Sequence, residues 1–233
     1  MVGDVAYLER PLYLMRDVDL MLQLGKGTAK RWIDGYRRYA KQYPPIVRER
    51  RTGDDAVSWG EFVETALLSA YREAGLRIYH LRGVVERLRE SLNVRYPLAH
   101  VRPLVDMPTM RLVLDAQRAT GLDTDLWLVR EIGSGQLKLS EGARLFKIKT
   151  DFDTPADATE KVAMRYHPLG PGTAVKIDPQ QRFGQPVVRA VPTDVLAEQV
   201  RAGDSIESVA MAYQLSPDEV RQALRYEEGE RAA

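Results

Sequence analysis

Lys26, Lys30, Arg31, Arg37 and Arg38 crowd one short stretch of the chain, and Arg48, Arg50 and Arg51 follow closely. Residues 26–51 hold nine Lys or Arg against two acids, Asp34 and Glu49. Cations gathered this densely suit a nucleic-acid backbone. Each duplex phosphate they neutralise adds roughly 0.9 to the slope of log affinity against log salt. Arginine or lysine at the start of a helix can also reach base edges in a major groove, while others meet phosphates and set register. Thr28 brings a hydroxyl that caps a helix or meets a phosphate, capping being the commoner use. Tyr36 stands among the cations. Trp32, one helical turn after Thr28, reads as core.

The elements that must position these groups follow from pattern and punctuation. Tyr13 to Leu22 read as a short helix, Gly25-Lys26-Gly27 as a turn, and Thr28 to Tyr39 as a second helix. That is the spacing of a helix-turn-helix. Tyr43-Pro44-Pro45 ends the helical pattern, because proline lacks an N–H and restricts the residue before it. Ile46-Val47-Arg48 and Ala56-Val57-Ser58 flank a turn at residues 51–55 and read as a small wing, which would let Arg48, Arg50 and Arg51 follow the backbone or the minor groove. Ser58 and Glu61 match a capping box before an apolar-periodic helix stopped at Gly75, and a further helix runs from Ile78 to Leu92. Beyond it come a helix at Thr109–Thr120, strand candidates at 126–132 and 136–139 around a Gly133-Ser134-Gly135 turn, and an alternating run at Leu145–Thr150. The last section carries three helix starts, at Thr193, at Asp204 or Ser205, and at Ser216-Pro217-Asp218-Glu219. The expected fold is mainly α with a small antiparallel β element. It comprises a winged helix-turn-helix domain at 1–103, a linking segment with short strands at 104–185, and a trihelical unit at 186–233.

Composition narrows the function classes. The chain has 233 residues, a formal charge of +1 and no cysteine, which removes disulfides, cysteine zinc sites and thiol catalysis and fits a reducing cytoplasm. No apolar run approaches the eighteen or so residues that span a bilayer, and the N-terminus has no secretory pattern, so no membrane partner is expected. Charge is asymmetric: residues 178–233 hold six Arg against ten acids. Nucleic acid is therefore expected at the front and a protein partner at the back. His80, His100 and His167 show no metal-ligand spacing, Asp151 and Asp153 read as a solvated loop, and Gly133-x-Gly135 is no phosphate loop. No catalytic residue, metal or cofactor is expected, and the chain reads as a non-enzyme.

Taken in order, these residues resemble a family of bacterial antitoxins. Its members join an N-terminal helix-turn-helix to a C-terminal domain of unknown function 433, and are the VapB-like antitoxins of type II toxin–antitoxin systems. The front of the resemblance lies in Thr28-x-x-x-Trp32-x-x-Gly35-Tyr36, Pro45, Ser58-x-x-x-Phe62-Val63-Glu64 and Tyr96-Pro97-Leu98. The back lies in Ile177-Asp178-Pro179, Phe183-Gly184-Gln185-Pro186-Val187-Val188, Thr193, Ala202-Gly203-Asp204-Ser205-Ile206-Glu207 and Ala210-x-x-Tyr213. The chain departs at Arg189-Ala190-Val191-Pro192-Thr193, where the family usually has a Gly-Thr-Arg-Ile-like turn.

The resemblance implies two partners: a PIN-like ribonuclease toxin, and the operator DNA of an operon the protein represses. A homodimer is expected, since paired half-sites mirror two-fold symmetry. Arg221, Arg225 and Arg231 are the candidates for pairing with the carboxylates of such a nuclease, and the same residues suit ordinary ion pairs on a helix surface. Two other readings remain open. One is a MerR-like transcription regulator with no toxin; the other is an adaptor whose basic front is only soluble surface.

Overall fold

The computed structural model describes residues 5–73, 78–105, 107–122, 124, 127–132, 136–156 and 158–229. They divide into two compact units, one within 1–147 and 152–163, the other within 148–151 and 164–233. The expected helix stop at Gly75, the turn at Gly133-Ser134-Gly135, Leu126 and Arg231 lie outside the described residues.

The first unit opens with α1 (Ala6–Glu9), β1 (Pro11–Leu14), α2 (Met15–Met21), α3 (Thr28–Ile33), β2 (Tyr36–Arg38), β3 (Lys41–Tyr43) and β4 (Ala56–Ser58). It continues through α4 (Trp59–Glu73), α5 (Arg82–Leu92), α6 (Arg102–Val105), α7 (Met107–Ala119), β5 (Val129–Ile132), β6 (Gln136–Leu139) and α8 (Glu141–Ile148). Its axis is α4, in which every residue from Trp59 to Tyr71 is buried. A helix covered on all sides must satisfy its own polar groups. The Thr65 hydroxyl donates to the Glu61 carbonyl, the Glu64 carboxylate accepts the Leu98 amide, and the Trp59 indole N–H donates to the Ala163 carbonyl. The box read from Ser58 and Glu61 forms: the Ser58 amide donates to Glu61 Oε2, and the Glu61 amide to Ser58 Oγ. Tyr13, Trp59 and Phe62 pack ring to ring beside it.

Three local expectations are corrected. The second helix ends at Ile33, not Tyr39. Gly35 takes a left-handed φ of 72°, and the chain from Tyr36 folds back as a hairpin with Arg38 opposite Lys41. The 46–48 segment is no strand. Its amides close off the end of α3, Ile46 and Val47 donating to the Trp32 carbonyl and Arg48 to that of Ile33, which satisfies helix-end carbonyls that have no partner within the helix. β4 therefore pairs antiparallel with β1, and Tyr13 lies in that strand opposite Val57 instead of starting a helix. Finally, the alternating run at 145–150 lies mostly in α8. There Ala143 and Phe146 are buried at helical spacing and the Ser140 hydroxyl receives the Ala143 amide, so the helical period overrides the alternation.

The chain passes between the units at the last residue of α8, within β7 (Thr150–Asp153) and within β8 (Val162–Tyr166). The second unit then adds β9 (Val175–Ile177), β10 (Pro186–Val188), β11 (Val191–Pro192), α9 (Thr193–Arg201), α10 (Ile206–Tyr213) and α11 (Pro217–Glu227). The sheet order is β11-β10-β9-β8-β7, so β9 and β10 belong with the three helices. Val175, Val188, Leu196, Val209, Leu215, Val220, Ala223 and Tyr226 form one core. Ser205 caps α10, and Ser216 and Glu219 cap α11 reciprocally. Thr193 is not a cap: it is the first residue of α9, and its buried hydroxyl donates to Glu227. The chain is thus helical with small antiparallel sheets. No helix among the described residues is long and apolar enough to cross a membrane.

Candidate nucleic-acid interface

The ten front residues singled out by sequence separate into an inward and an outward group. Thr28 is buried, and its hydroxyl accepts a hydrogen bond from Arg31 Nη2 at 2.7 Å instead of capping α3. The cap comes from elsewhere. Asp19, on α2, accepts the Gly27 amide at 2.6 Å and the Ala29 amide at 2.7 Å. A carboxylate therefore already occupies the positive end of α3, where a phosphate would otherwise sit.

Arg48 is the clearest departure from a DNA contact. Its side chain is 8 % exposed, between Asp34 at 3.2 Å and Glu61 at 2.7 Å. It also donates to Thr52 Oγ1 and to the carbonyls of Asp54 and Ala56. Burial disfavours the charge on Arg48, but Glu61 and Asp34 hold its pKa above the ordinary value. Burial likewise opposes ionisation of Asp34. The amides of Thr52 and Gly53, the Thr52 hydroxyl and the Arg48 guanidinium outweigh it and hold the Asp34 carboxyl below the usual range. This network ties the end of α3, the 48–56 loop and the start of α4 together, so Arg48 acts as a strut.

The outward group is smaller than the charge count suggests. Lys30 Nζ lies 3.0 Å from Asp55, and Arg51 lies 3.6 Å from Asp34. Lys26 and Arg50 are exposed. Arg37 and Arg38 are also exposed, but on β2 and not on a helix. Tyr36 stacks on Tyr43 with ring centroids 4.5 Å apart, a cross-strand pair that braces the hairpin root. Gly35 makes that root possible, since a Cβ there would stand 2.6 Å from the Tyr43 carbonyl oxygen. Sequence reasoning missed Lys41, which completes the hairpin's cations opposite Arg38. The signal was present as Tyr36 and Tyr43 flanking Tyr39-Ala40, which a helical reading of the stretch concealed.

In the second unit, Arg221 lies 3.6 Å from Glu207 and Arg225 is exposed on α11. Arg189, at the departure from the family turn, pairs with Glu219 at 2.9 Å. Among the described residues no three His, Asp or Glu side chains gather as a metal site.

Comparison with known proteins places these features in context. Residues 175–226 match the family model described as a protein of unknown function, DUF433. The chain is 34 % identical to the uncharacterized protein Rv2308 of Mycobacterium tuberculosis over 94 % of its own length and 91 % of that protein. It is 28 % identical to the "Putative antitoxin VapB45" of the same organism, over 92 % of each. The crystal structure of Rv2018 from M. tuberculosis shares the fold at a TM-score of 0.73 and 24 % identity, covering 94 % of this chain and 99 % of that one.

Proposed function

Starting from the chain's membership of the same protein family as Rv2308, we propose that it is the antitoxin of a type II toxin–antitoxin system. It binds and neutralises a PIN-like ribonuclease toxin through its C-terminal unit and represses its own operon by binding operator DNA as a homodimer. The observation that carries this reading is the similarity to VapB45 along 92 % of both chains, which spans the cationic front and the DUF433 segment alike. The charge division agrees with it, since cations concentrate where a polyanion is expected and acids prevail in residues 178–233. Lys26, Arg37, Arg38 and Arg50 are the outward candidates for DNA. Arg221 and Arg225 are those for the toxin.

The test is co-expression with the gene beside its own, followed by co-purification and titration against the DNA upstream. A stable complex with a nuclease whose activity it suppresses is the expected result. Salt-sensitive DNA binding with no copurifying partner would leave the MerR-like regulator. Neither activity would leave the adaptor.

A further inference from the structure

We infer that the β2–β3 hairpin, and not α3, is the element this protein inserts into a DNA major groove; the inference rests on the repressor half of the proposed function. α3 is poorly equipped for that task. It has six residues, about 9 Å of helix. Four of them, Thr28, Ala29, Trp32 and Ile33, are buried. Its two outward cations are engaged within the chain, Lys30 by Asp55 and Arg31 by the Thr28 hydroxyl. Asp19 holds the amides at its start.

The hairpin differs in exposure and in its lack of acids. From Gly35 to Tyr43 there is no acid, and Arg37, Arg38, Lys41 and Gln42 are all exposed. Their contacts within the chain leave the charges unneutralised: Arg37 Nε donates to the Tyr39 carbonyl at 3.3 Å, and Arg38 and Lys41 lie over the Tyr39 and Tyr43 rings, with no carboxylate among these partners. Arg38 and Lys41 stand directly opposite each other across the strands, a like-charge pairing that destabilises an isolated hairpin and that a phosphate would relieve. Tyr39 forms the tip at 88 % exposure with a left-handed φ of 54°. A non-glycine residue there costs about 1 kcal/mol or more, and Tyr39 recovers little of it through burial.

The dimensions match a groove. Three residues per strand project about 10 Å, and a major groove is about 8.5 Å deep and 12 Å wide, enough for a two-stranded ribbon. Entering tip first, the ribbon sets Tyr39 at the groove floor, Arg37 toward one backbone wall, and Arg38 with Lys41 toward the other. The side-chain alternation of the strands produces this division. The stacked Tyr36 and Tyr43 keep the ribbon stiff at its root.

The experiment measures fluorescence anisotropy of a labelled duplex from upstream of the protein's own gene, with the full chain, across a salt series. Arg37→Ala/Arg38→Ala/Lys41→Ala should reduce the salt slope by about 2.7, roughly 0.9 for each lost phosphate contact. Tyr39→Ala should leave the slope unchanged and cut the preference for that duplex over an unrelated one by about tenfold. Lys30→Ala/Arg31→Ala should leave both unchanged, and thermal unfolding of each variant reports whether its fold is intact. If the wild-type protein shows no salt-sensitive binding, the repressor reading falls and the inference with it. If it binds, and only the Lys30/Arg31 variant loses slope, the hairpin inference alone is overturned.

Discussion

Replacing Arg48 with Met keeps the buried aliphatic stem and deletes the charged head. Six hydrogen bonds go with that head: two each to Glu61 and to the 54–56 backbone, and one each to Asp34 and Thr52. Glu61 loses its cation and Asp34 keeps only the half-exposed Arg51 at 3.6 Å, while the two carboxylate side chains remain 5 % and 1 % exposed. Removing one member of a buried ion pair costs about 3–5 kcal/mol. Asp34 retains the amides of Thr52 and Gly53, whereas Glu61 retains only the Ser58 amide of its box, so the expected loss lies near the lower end, about 3 kcal/mol. Against a typical total of about 5–15 kcal/mol that is a large share. With a urea m-value of about 2 kcal/mol/M it moves the unfolding midpoint down by about 1.5 M. Tryptophan emission reports it, because Trp32 and Trp59 are buried in this unit. Adding Glu61→Gln should restore part of the loss, since removing both charges is far milder than stranding one. A midpoint within about 0.3 M of wild type, combined with a salt slope lowered by about 0.9, would refute the strut and return Arg48 to the DNA contacts.

Three further outcomes follow from single side chains. Burial raises the Glu64 carboxyl to about 7, with Arg89 opposing, so the folded chain keeps a proton that the unfolded chain releases near 4.5. This contribution is fully present below pH 4.5 and is lost as pH rises toward 7. Urea titrations at several pH values should show wild type losing about 3 kcal/mol more than Glu64→Gln across that window, and parallel curves would contradict the assignment. Gly60→Ala would place a Cβ 2.4 Å from Cδ2 of the buried Tyr96, which is held through its hydroxyl by Ser58 and Glu9. Equilibrium unfolding should lose at least about 1–3 kcal/mol, and an unchanged midpoint would show that Tyr96 can move. Phe183 is 79 % exposed with a φ of 56°, so Phe183→Asn should raise the melting temperature by about 2–4 °C as strain falls by about 1 kcal/mol. A lower melting temperature would mean that the ring makes a stabilising contact.

Sequence alone determined the features whose causes lie within a few residues. Ser58 with Glu61, Ser205 with Ser208, and Ser216 with Glu219 are each three apart, and each forms the cap that its spacing suggests. The charge division was legible for the same reason, because it is a property of composition. Tertiary structure decided where those charges point. Asp19 caps α3 from eight and ten residues away, and Arg48 reaches partners thirteen and fourteen away. A one-dimensional pattern carries no record of such meetings, so an arginine bound for a phosphate and one bound for a buried carboxylate look alike in it. The end of α3 was hidden likewise. Gly35 and the Tyr36–Tyr43 stack mark the hairpin, but the 46–48 amides that close the helix reach it only because the chain returns to it through space.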